Sequence, residues 1–600
     1  MQQMLRAFSR RMLRSPRRTA NLVAWRVRHD PVWVLLKLAQ SLPAQRRVRL
    51  AESALRAADA VLARRPGSAA AAMVAGFALV HLGRGDDLTD FVVDRETRAR
   101  QRERVALARI LAEADRPVPA LRLLEGARPT PGMLETKGRA LARQGDLHAA
   151  ERCLCAAADR GSASARVEWD RTRATLDALS PDWHPAPPAI SPGRATPGRV
   201  LHVLNNSLPH TIAGYTVRTH RIAQAQRAAG LDPVMVTRAG YPVLQGVFDA
   251  AAHDEVDGIT YHRLPAEGLA RRGQSALIQA NVDRLAPLVE CYRPAVLQPT
   301  SPYENPRAAL AIGAATGIPV VYEVRGFLEQ TWRSRHGTAA GDSERFRLTR
   351  EIEGWCMRRA DRVVTLGDAM KADIVARGAD PDNVWVIPNA VDPDDFVPQP
   401  VDPALRADLG FAGSDVVLGY VSSLVRYEGV TYLLDAIARL RSSHANVRGL
   451  IVGDGAERTA LEHQAAALGL GDVVRFTGRV PISEVQRYYH QIDVFVVPRT
   501  NDEVSRTVTP LKPLEAMALE RAVVTSDVPA LRELIEPGET GLVFTAEDAA
   551  DLAATVAPLL DDPAARSRLG KAAREWVAAE RTWRRNGERY RELFAELGAV

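Results

Sequence analysis

Gly449-Leu-Ile-Val-Gly-Asp-Gly455 is followed by the Ala- and Leu-rich stretch Glu457–Leu470 and then by Val473-Val-Arg-Phe-Thr-Gly-Arg-Val480. The first run is short, continuously apolar and closed by glycines, so it reads as a buried strand ending in a turn. The second reads as a helix and the third as another strand that opens into a loop. A strand apolar on both faces belongs in a parallel sheet covered by helices on both sides. The same texture recurs outward in both directions. Strands are expected at Val200–Leu204, Val234–Thr237, Ala295–Gln298, Val320–Val324, Arg362–Leu366 and Val384–Ile387. A second set is expected at Val416–Val421, Gly449–Val452, Val473–Thr477, Val494–Val497, Ala522–Thr525 and Leu542–Phe544. Two such sets predict an α/β architecture of two doubly wound, Rossmann-like domains with a cleft between them. Ligands bind such sheets beyond the carboxyl ends of the strands.

The 600 residues are enough for about three to five domains, so the two sheets leave a remainder. Residues 1–180 are rich in Ala, Leu and Arg and lack β-branched alternation, which predicts an all-α region. Gly76 with Gly83, and Gly138 with Gly145, Ala150, Leu154 and Ala157, fall at related offsets. Ala108, Ala120, Leu124 and Ala127 occupy the matching places between them. The spacing is close to a helical-repeat period and resembles degenerate tetratricopeptide repeats; an irregular helical bundle fits as well. Residues 181–198 hold six prolines, from Pro181 to Pro197, and read as a semi-rigid linker.

Charged residues make up 25% of the chain, and 79 Lys and Arg stand against 72 Asp and Glu. That excess is small for the size and does not point to nucleic acid. The four cysteines, Cys153, Cys155, Cys291 and Cys356, form no Cys-x-x-Cys pair, which fits neither a zinc site nor a disulfide framework and suits a reducing cytoplasm. Residues 1–30 hold eight arginines against the single acid Asp30, and Trp25 and Trp33 lie close by. No apolar run with a cleavage site follows, so this start does not read as a secretory signal. It has the pattern of a peripheral contact with an anionic membrane face; a solvated arm entering the first helix has the same composition.

Thr507-Val-Thr-Pro-Leu-Lys-Pro-Leu-Glu-Ala-Met-Ala518 holds the most chemistry. Pro513 suits a helix start. The turn through Thr509 and Leu511 would aim backbone N–H groups out of that start, where an anion is favoured. Lys512 adds a full charge for phosphate, and Glu515 offers a carboxylate to a ribose diol. An ordinary capped helix with a surface Lys and Glu has the same local sequence. The ordered series of glycine turns around the segment favours a nucleotide-diphosphate site.

With these pieces in place, residues 199–597 resemble glycosyltransferase family 4, the group 1 glycosyltransferases of GT-B fold. The likeness rests on Ala360-Asp-Arg-Val-Val-Thr-Leu-Gly, Val386-Ile-Pro-Asn-Ala-Val-Asp392 with Phe396, Val452-Gly-Asp-Gly455, Phe476-Thr-Gly-Arg479, Leu514-Glu-Ala-Met-Ala518 and Gly538-x-x-Gly541-Leu. Leu208–Arg218 and Tyr322-Glu-Val-Arg-Gly-Phe327 look like a branch associated with exopolysaccharides. Beyond the helical region at 1–180 and the linker at 181–198, the resemblance implies an acceptor domain at 199–395, a donor domain at 396–576 and a final helix at 577–600 crossing back to the acceptor domain. It implies sugar transfer with retention of configuration and without a metal, from a UDP- or GDP-linked sugar to a glycan or lipid-linked acceptor. No other cofactor is implied. Polysaccharide biosynthesis at the inner membrane face, with the helical region recruiting a protein partner, fits this reading.

On the same likeness, Glu515 matches the second carboxylate of the family's Glu-x7-Glu motif, and Gly214 and Tyr215 match a loop that approaches the diphosphate. The donor-site residues expected are Gly214, Tyr215, Ser423, Arg426, Gly453, Gly455, Arg479, Thr509, Leu511, Lys512 and Glu515. The candidate catalytic residues are Glu323, Arg325 and Lys512.

The chain departs from the family at three places. Thr507 stands where the first Glu of Glu-x7-Glu falls. In Ser422-Ser-Leu-Val-Arg-Tyr-Glu-Gly429, Ser423 and Glu428 replace an Arg and a Lys. We expect Arg426 and Lys512 to supply the missing charge and Glu428 to point away or pair with one of them. The strand end at Tyr322–Glu329 lacks the histidine of many relatives; Glu323 and Arg325 project to one side there, so that Glu323 orients Arg325 toward phosphate or acceptor. A structural ion pair at the domain interface is the competing reading. His220 and His336 are weaker candidates. Asp392, Asp394 and Asp395 read as turn residues, and Tyr488 and Tyr489 as packing. Trp583, Tyr590, Leu593 and Phe594 fall on one apolar helix face. The departures leave an inactive transferase-like scaffold as the alternative function. A sugar-nucleotide epimerase of the same architecture is disfavoured by the motif order. Removal of residues 1–180 is expected to leave nucleotide binding intact.

Overall fold

The computed structural model describes residues 44–65, 68–82, 87–88, 90–91, 101–247, 249–269 and 272–600. The basic start, its tryptophans and Gly83 lie outside these residues, and with them the expected membrane contact. Among the described residues no helix is long and apolar enough to cross a membrane.

The first sheet is built from β1 (Thr196–Leu204), β2 (Asp232–Thr237), β3 (His253–Val256), β4 (Ile259–Arg263) and β5 (Pro294–Pro299), in the order β3-β4-β2-β1-β5. A further set, β6 (Val321–Glu323), β7 (Arg362–Thr365) and β8 (Val384–Val386), pairs in sequence order. Bridges from Leu297 to Val320 and from Thr300 to Glu323 join β5 to β6, so the two sets form one layer. β1 and β5 are almost wholly buried, as their continuous apolar sequence requires. The strand order changes sense between the parallel strands β1 and β5, and the loops that follow these two strands open there.

The second sheet has six parallel strands: β9 (Val416–Val421), β10 (Val447–Val452), β11 (Val474–Gly478), β12 (Val494–Val497), β13 (Ala522–Ser526) and β14 (Leu542–Phe544). Their order, β11-β10-β9-β12-β13-β14, is doubly wound, with its switch point between β9 and β12. Buried Leu418, Ile451, Phe495 and Val496 from the strands pack with Leu514 and Met517 from the helix Lys512–Ala518 in one core.

Several elements differ from the sequence reading. β3 and β4 were not anticipated. They form an antiparallel hairpin closed by Asp257 and Gly258 at φ +47 and +72, the Asp-Gly signal of a two-residue turn. Their polar, alternating sequence carries none of the apolar continuity that marks the inner strands. The linker is shorter than expected, because β1 begins at Thr196, where its amide donates to Arg293 O at 2.8 Å. Pro197 is accommodated because the pairing register shifts between Thr196 and Val200. The linker lies along the helix Gln274–Tyr292, with Ala186 N on Gln279 Oε1 at 2.8 Å and Ser191 N on Glu290 Oε1 at 2.9 Å. The helix expected at Ser483–His490 is a 3₁₀ turn at Ile482–Glu484 followed by the helix Val485–Tyr489.

The helices Ala44–Arg64, Ala69–His81, Gln101–Glu113, Pro117–Leu123, Pro131–Gln144, Leu147–Asp159 and Ala163–Leu179 each pack against the next. A Cβ on Gly138 would lie 2.6 Å from the Leu154 side chain and 3.2 Å from Ala150 O, so glycine permits that close crossing. The stack is not a separate body. Leu147, Ala178 and Leu179 share a core with Leu285, Ile312, Tyr322 and Ile352. At Gly273 a Cβ would fall 2.3 Å from Ala174 Cβ.

At the other end of the chain, the helix Pro563–Glu580 packs on the second sheet. The helix Trp583–Glu596 then returns to the first. Its Trp583, Tyr590, Leu593 and Phe594 are buried with Val200, Ile222, Val296, Val321 and Ile387. Gly587 faces Ala225 O, which a Cβ would approach to 2.3 Å.

Candidate active site

β6 ends in Glu323, which is fully buried. Its carboxylate accepts from Arg218 Nε at 3.0 Å, Arg325 Nη2 at 2.8 Å and Gln298 Nε2 at 3.1 Å. Burial alone would push this carboxyl up, but the Arg325 and Arg218 guanidiniums outweigh it and hold the group at about 2. Glu323 is therefore a fixed anion, and its contacts are those of a positioning residue. Arg325 also donates from Nη1 to Tyr215 O at 3.1 Å and to Thr219 Oγ1. These acceptors lie in the first turns of the helix Gly214–Ala228, so two arginines and one glutamate leave one positive charge beside that helix start. The ion pair of the competing reading is present, but Glu323 and Arg325 are held within the first sheet's half of the molecule rather than across the interface.

Arg218 extends the cluster. It is 2% exposed and donates to Ile387 O at 2.7 Å, Pro388 O at 2.9 Å and Asn389 Oδ1 at 3.1 Å. Asn389 in turn donates from Nδ2 to Thr509 O at 2.7 Å. A buried chain of hydrogen bonds thus runs from Glu323 to the segment that precedes Lys512. The two halves also meet where a Cβ on Gly214 would lie 3.8 Å from Leu511 Cδ1, and one on Gly326 the same distance from Val508 Cγ2.

Lys512 opens the helix Lys512–Ala518 and Glu515 lies one turn on. Lys512 Nζ lies 3.1 Å from Glu515 Oε2 and 3.4 Å from Oε1, and the Tyr489 hydroxyl donates to Oε2 at 2.8 Å. Tyr489 is buried and stacked on Phe495. It packs as expected and also orients Glu515, a role its sequence did not disclose. Thr509 is buried, and Thr507 turns its hydroxyl back to Glu503 O at 2.9 Å.

Of the two outcomes expected for Glu428, pairing with Arg426 or Lys512 is corrected. It pairs with neither Arg426 nor Lys512 but with Arg499, whose Nη2 and Nε lie 2.9 and 3.1 Å from its two oxygens. The Tyr420 hydroxyl donates to the same carboxylate. Both partners are buried. Burial opposes the charge on Arg499, but Glu428 wins and raises its pKa. Arg499 also donates to Val508 O at 2.8 Å, bracing the segment before Lys512. Ser423 and Arg426 are exposed on the loop after β9, and Arg426 forms no ion pair among the described residues.

Gly453 and Gly455 follow β10. A Cβ there would lie 1.8 Å from Ser422 O and 2.1 Å from Leu424 O, respectively. Their lack of side chains is required by the neighbouring loop, whatever ligand lies beyond it. Arg479 is exposed past the edge strand β11, and no hydrogen bond or ion pair ties it to the cluster. The histidine candidates lie elsewhere. His220 is held by Tyr261 and Asp257 at 2.8 and 2.9 Å, and His336 by Asp115 at 3.1 Å. Asp395 and Asp392 face Arg221.

Residues 401–576 match the model of the glycosyl transferases group 1, and residues 213–390 match that of the glycosyl transferase 4-like domain. The chain is 30% identical over 236 residues to the 2-deoxystreptamine glucosyltransferase of Streptomyces kanamyceticus, covering 39% of this chain and 60% of that relative. It is 28% identical over 405 residues to the glycogen synthase of Mycobacterium tuberculosis, covering 64% of this chain and 91% of that protein. Among solved structures, the sucrose-phosphate synthase of Thermosynechococcus elongatus superimposes with a TM-score of 0.56 at 22% identity, covering 67% of this chain and 99% of that one. The two sheets are thus the GT-B fold. The chain is a glycosyltransferase that carries the two domains of the group 1 family, with a helical region ahead of them.

Proposed function

We propose that this transferase moves a sugar from a nucleoside-diphosphate sugar to a glycan or lipid-linked acceptor, with retention of configuration and without a metal. The observation that carries the reading is the arrangement of Lys512, Glu515 and Tyr489 beside the segment that meets Gly214 and Asn389. An ammonium for phosphate and an oriented carboxylate for a ribose diol stand one helical turn apart, at the seam of the two halves. As the bond from the anomeric carbon to the diphosphate oxygen breaks, its electron pair stays on the diphosphate, an acceptor hydroxyl oxygen bonds to that carbon on the same face, and the hydroxyl proton passes to the departing phosphate oxygen. Lys512, with Arg325 and Arg426 on the surrounding loops, supplies positive charge where that negative charge develops. The glucosyl and glucan chemistry named for both relatives favours a hexose donor.

The remaining expectations belong to the same proposal: a donor domain over 396–576, an acceptor domain over 199–395, tetratricopeptide-like packing ahead of them, and work in polysaccharide synthesis at the cytoplasmic membrane face. Recruitment of a protein partner by the helical region is part of it. The inactive-scaffold reading draws on Thr507 and Ser423, but Glu428 no longer supports it, because Arg499 neutralises that charge inside the fold.

Calorimetric titration tests the proposal. Lys512→Ala should weaken UDP or GDP binding about tenfold or more while leaving uridine or guanosine within about twofold, as loss of a charge-assisted contact implies. Equal losses for nucleotide and nucleoside would refute the phosphate role, and absence of any nucleotide binding by the native chain would favour the scaffold.

A further inference from the structure

A buried polar row crosses three strands of the first sheet near their carboxyl ends. His202 on β1, Gln298 on β5 and Glu323 on β6 each stand two residues past a valine: Val200, Val296 and Val321. Alternation puts each residue and its valine on one face of the strand. His202 and Gln298 are also paired in the register of β1 and β5. The valines pack with Ile222, Tyr590 and Phe594 in an apolar core shared with the helices Gly214–Ala228 and Trp583–Glu596. His202, Gln298 and Glu323 are fully buried, as is Gln226 from the first of those helices. Apolar side chains would extend that core without the cost of burying polar groups, so the row needs another reason.

The four side chains form one line of hydrogen bonds. His202 Nε2 lies 2.7 Å from Gln226 Oε1, and Gln226 Nε2 donates to Gln298 Oε1 at 3.0 Å. Gln298 Nε2 donates to Glu323 Oε2 at 3.1 Å and to the Tyr590 hydroxyl at 3.2 Å. The direction of the line follows from the anion at its end. Glu323, set between Arg218 and Arg325, only accepts. Gln298 therefore turns its NH2 to Glu323 and its oxygen to Gln226. Gln226 then turns its own oxygen to His202, whose Nε2 carries the proton. Burial pushes His202 down to about 4, so the ring is neutral, and its Nδ1 has no partner among the described residues. Turning the Gln298 amide over would set oxygen against carboxylate. The line thus has one stable direction, and it ends on the same Glu323 oxygen that holds Arg325 Nη2.

We propose that Gln298, held in turn by Gln226 and His202, is a positioning residue for sugar transfer: it fixes the Glu323 oxygen that aims Arg325 at the charge developing on the diphosphate. This rests on the role given to Arg325 above and adds the residues that enforce it. The charged and titratable groups facing Glu323 are Arg218 on the helix Gly214–Ala228, Arg325 after β6, His202 on β1 and Tyr590 on the returning helix. The test uses the full chain, nucleotide release from UDP-glucose and from GDP-mannose, and calorimetric titration with UDP and GDP. Gln298→Leu removes the donor at similar size. It should lower the rate about tenfold at every pH, the effect of one lost hydrogen bond to a charged group, and lower nucleotide affinity less than the rate. Gln298→Glu sets a second carboxyl against Glu323. While the two share a proton the link stands; once that proton leaves, two anions face each other. The rate of Gln298→Glu relative to the native chain should therefore fall as pH rises. A relative rate flat across pH in folded Gln298→Glu, a native rate in Gln298→Leu, or equal losses of rate and affinity in Gln298→Leu would overturn the proposal. Should Gln298→Glu fail to fold, the comparison of rate with affinity in Gln298→Leu decides. If the native chain binds nucleotide and turns over either donor in those cases, only the positioning role falls; if it does neither, the donor reading falls and the positioning role with it.

Discussion

Glu428, which the resemblance reads as standing in place of a lysine, is one half of a buried ion pair. Its carboxylate is clamped by two nitrogens of Arg499 and by the Tyr420 hydroxyl, all inside the fold. Glu428→Lys would leave two cations facing each other without solvent. It should cost about 3–5 kcal/mol of stability, the penalty for breaking a buried pair, and chemical denaturation would measure it. The exchange Glu428→Lys with Arg499→Glu should recover part of that loss. A single Glu428→Lys variant as stable as the native chain would show that the pair is not structurally coupled. Residues such as Lys512 and Glu515 were legible in the sequence because they share one helical turn. Arg499 was not, because its partner is 71 positions away and no local pattern marks it. Asn389 and Arg218 escaped for the same reason, although each lies in a segment that was singled out. Glu323 was legible as an orienter of Arg325, yet its complete burial was not.

At the level of elements, the two halves are coupled through the turn that follows β8. Arg218, on the helix Gly214–Ala228, holds Ile387, Pro388 and Asn389, and Asn389 holds Thr509 ahead of the helix Lys512–Ala518. Asn586 also donates to Pro388 O at 2.8 Å, so the returning C-terminal helix braces the same turn. Of the proposed donor contacts Asn389 touches only Thr509, at its carbonyl oxygen and at Oγ1, and its effect should be on alignment. Asn389→Ala should lower kcat about tenfold, since it unsatisfies buried groups on both sides, while UDP affinity changes less than twofold. A steady-state assay paired with calorimetry separates these. Equal loss in both measurements would mean that Asn389 shapes the donor site itself. The parallel strands that place this turn were legible because buried β-sequence is continuously apolar. The β3–β4 hairpin was not, because it sits at the sheet edge, where alternating polar residues suffice, and only Asp257 and Gly258 announce it.

For the whole molecule, the stretch up to residue 180 reads in the sequence as a separate helical appendage, and a cut at the linker therefore looks harmless. The packing says otherwise. Ala178 and Leu179 are buried in the core beneath the first sheet, and Arg307, itself 1% exposed, donates to Ala178 O at 2.8 Å and to Ser180 O at 2.9 Å while lying between Trp183 and Trp355. Sequence periodicity reports which face of a helix is apolar but not which neighbour covers it, so this docking was invisible. Deleting residues 1–180 should expose that core face and strip a buried guanidinium of two acceptors. Losing the burial of Leu179 alone accounts for about 1.5–3 kcal/mol, and the unpaired arginine adds to it. The second sheet has its own core, built without any residue of the helical region. Scanning calorimetry of the truncated chain should therefore show one transition lowered and one nearly unmoved, with UDP still protecting the latter. A cut before Ala163, which keeps the helix Ala163–Leu179, should lower the first transition much less. If both truncations melt like the full chain, the helical region is an independent unit.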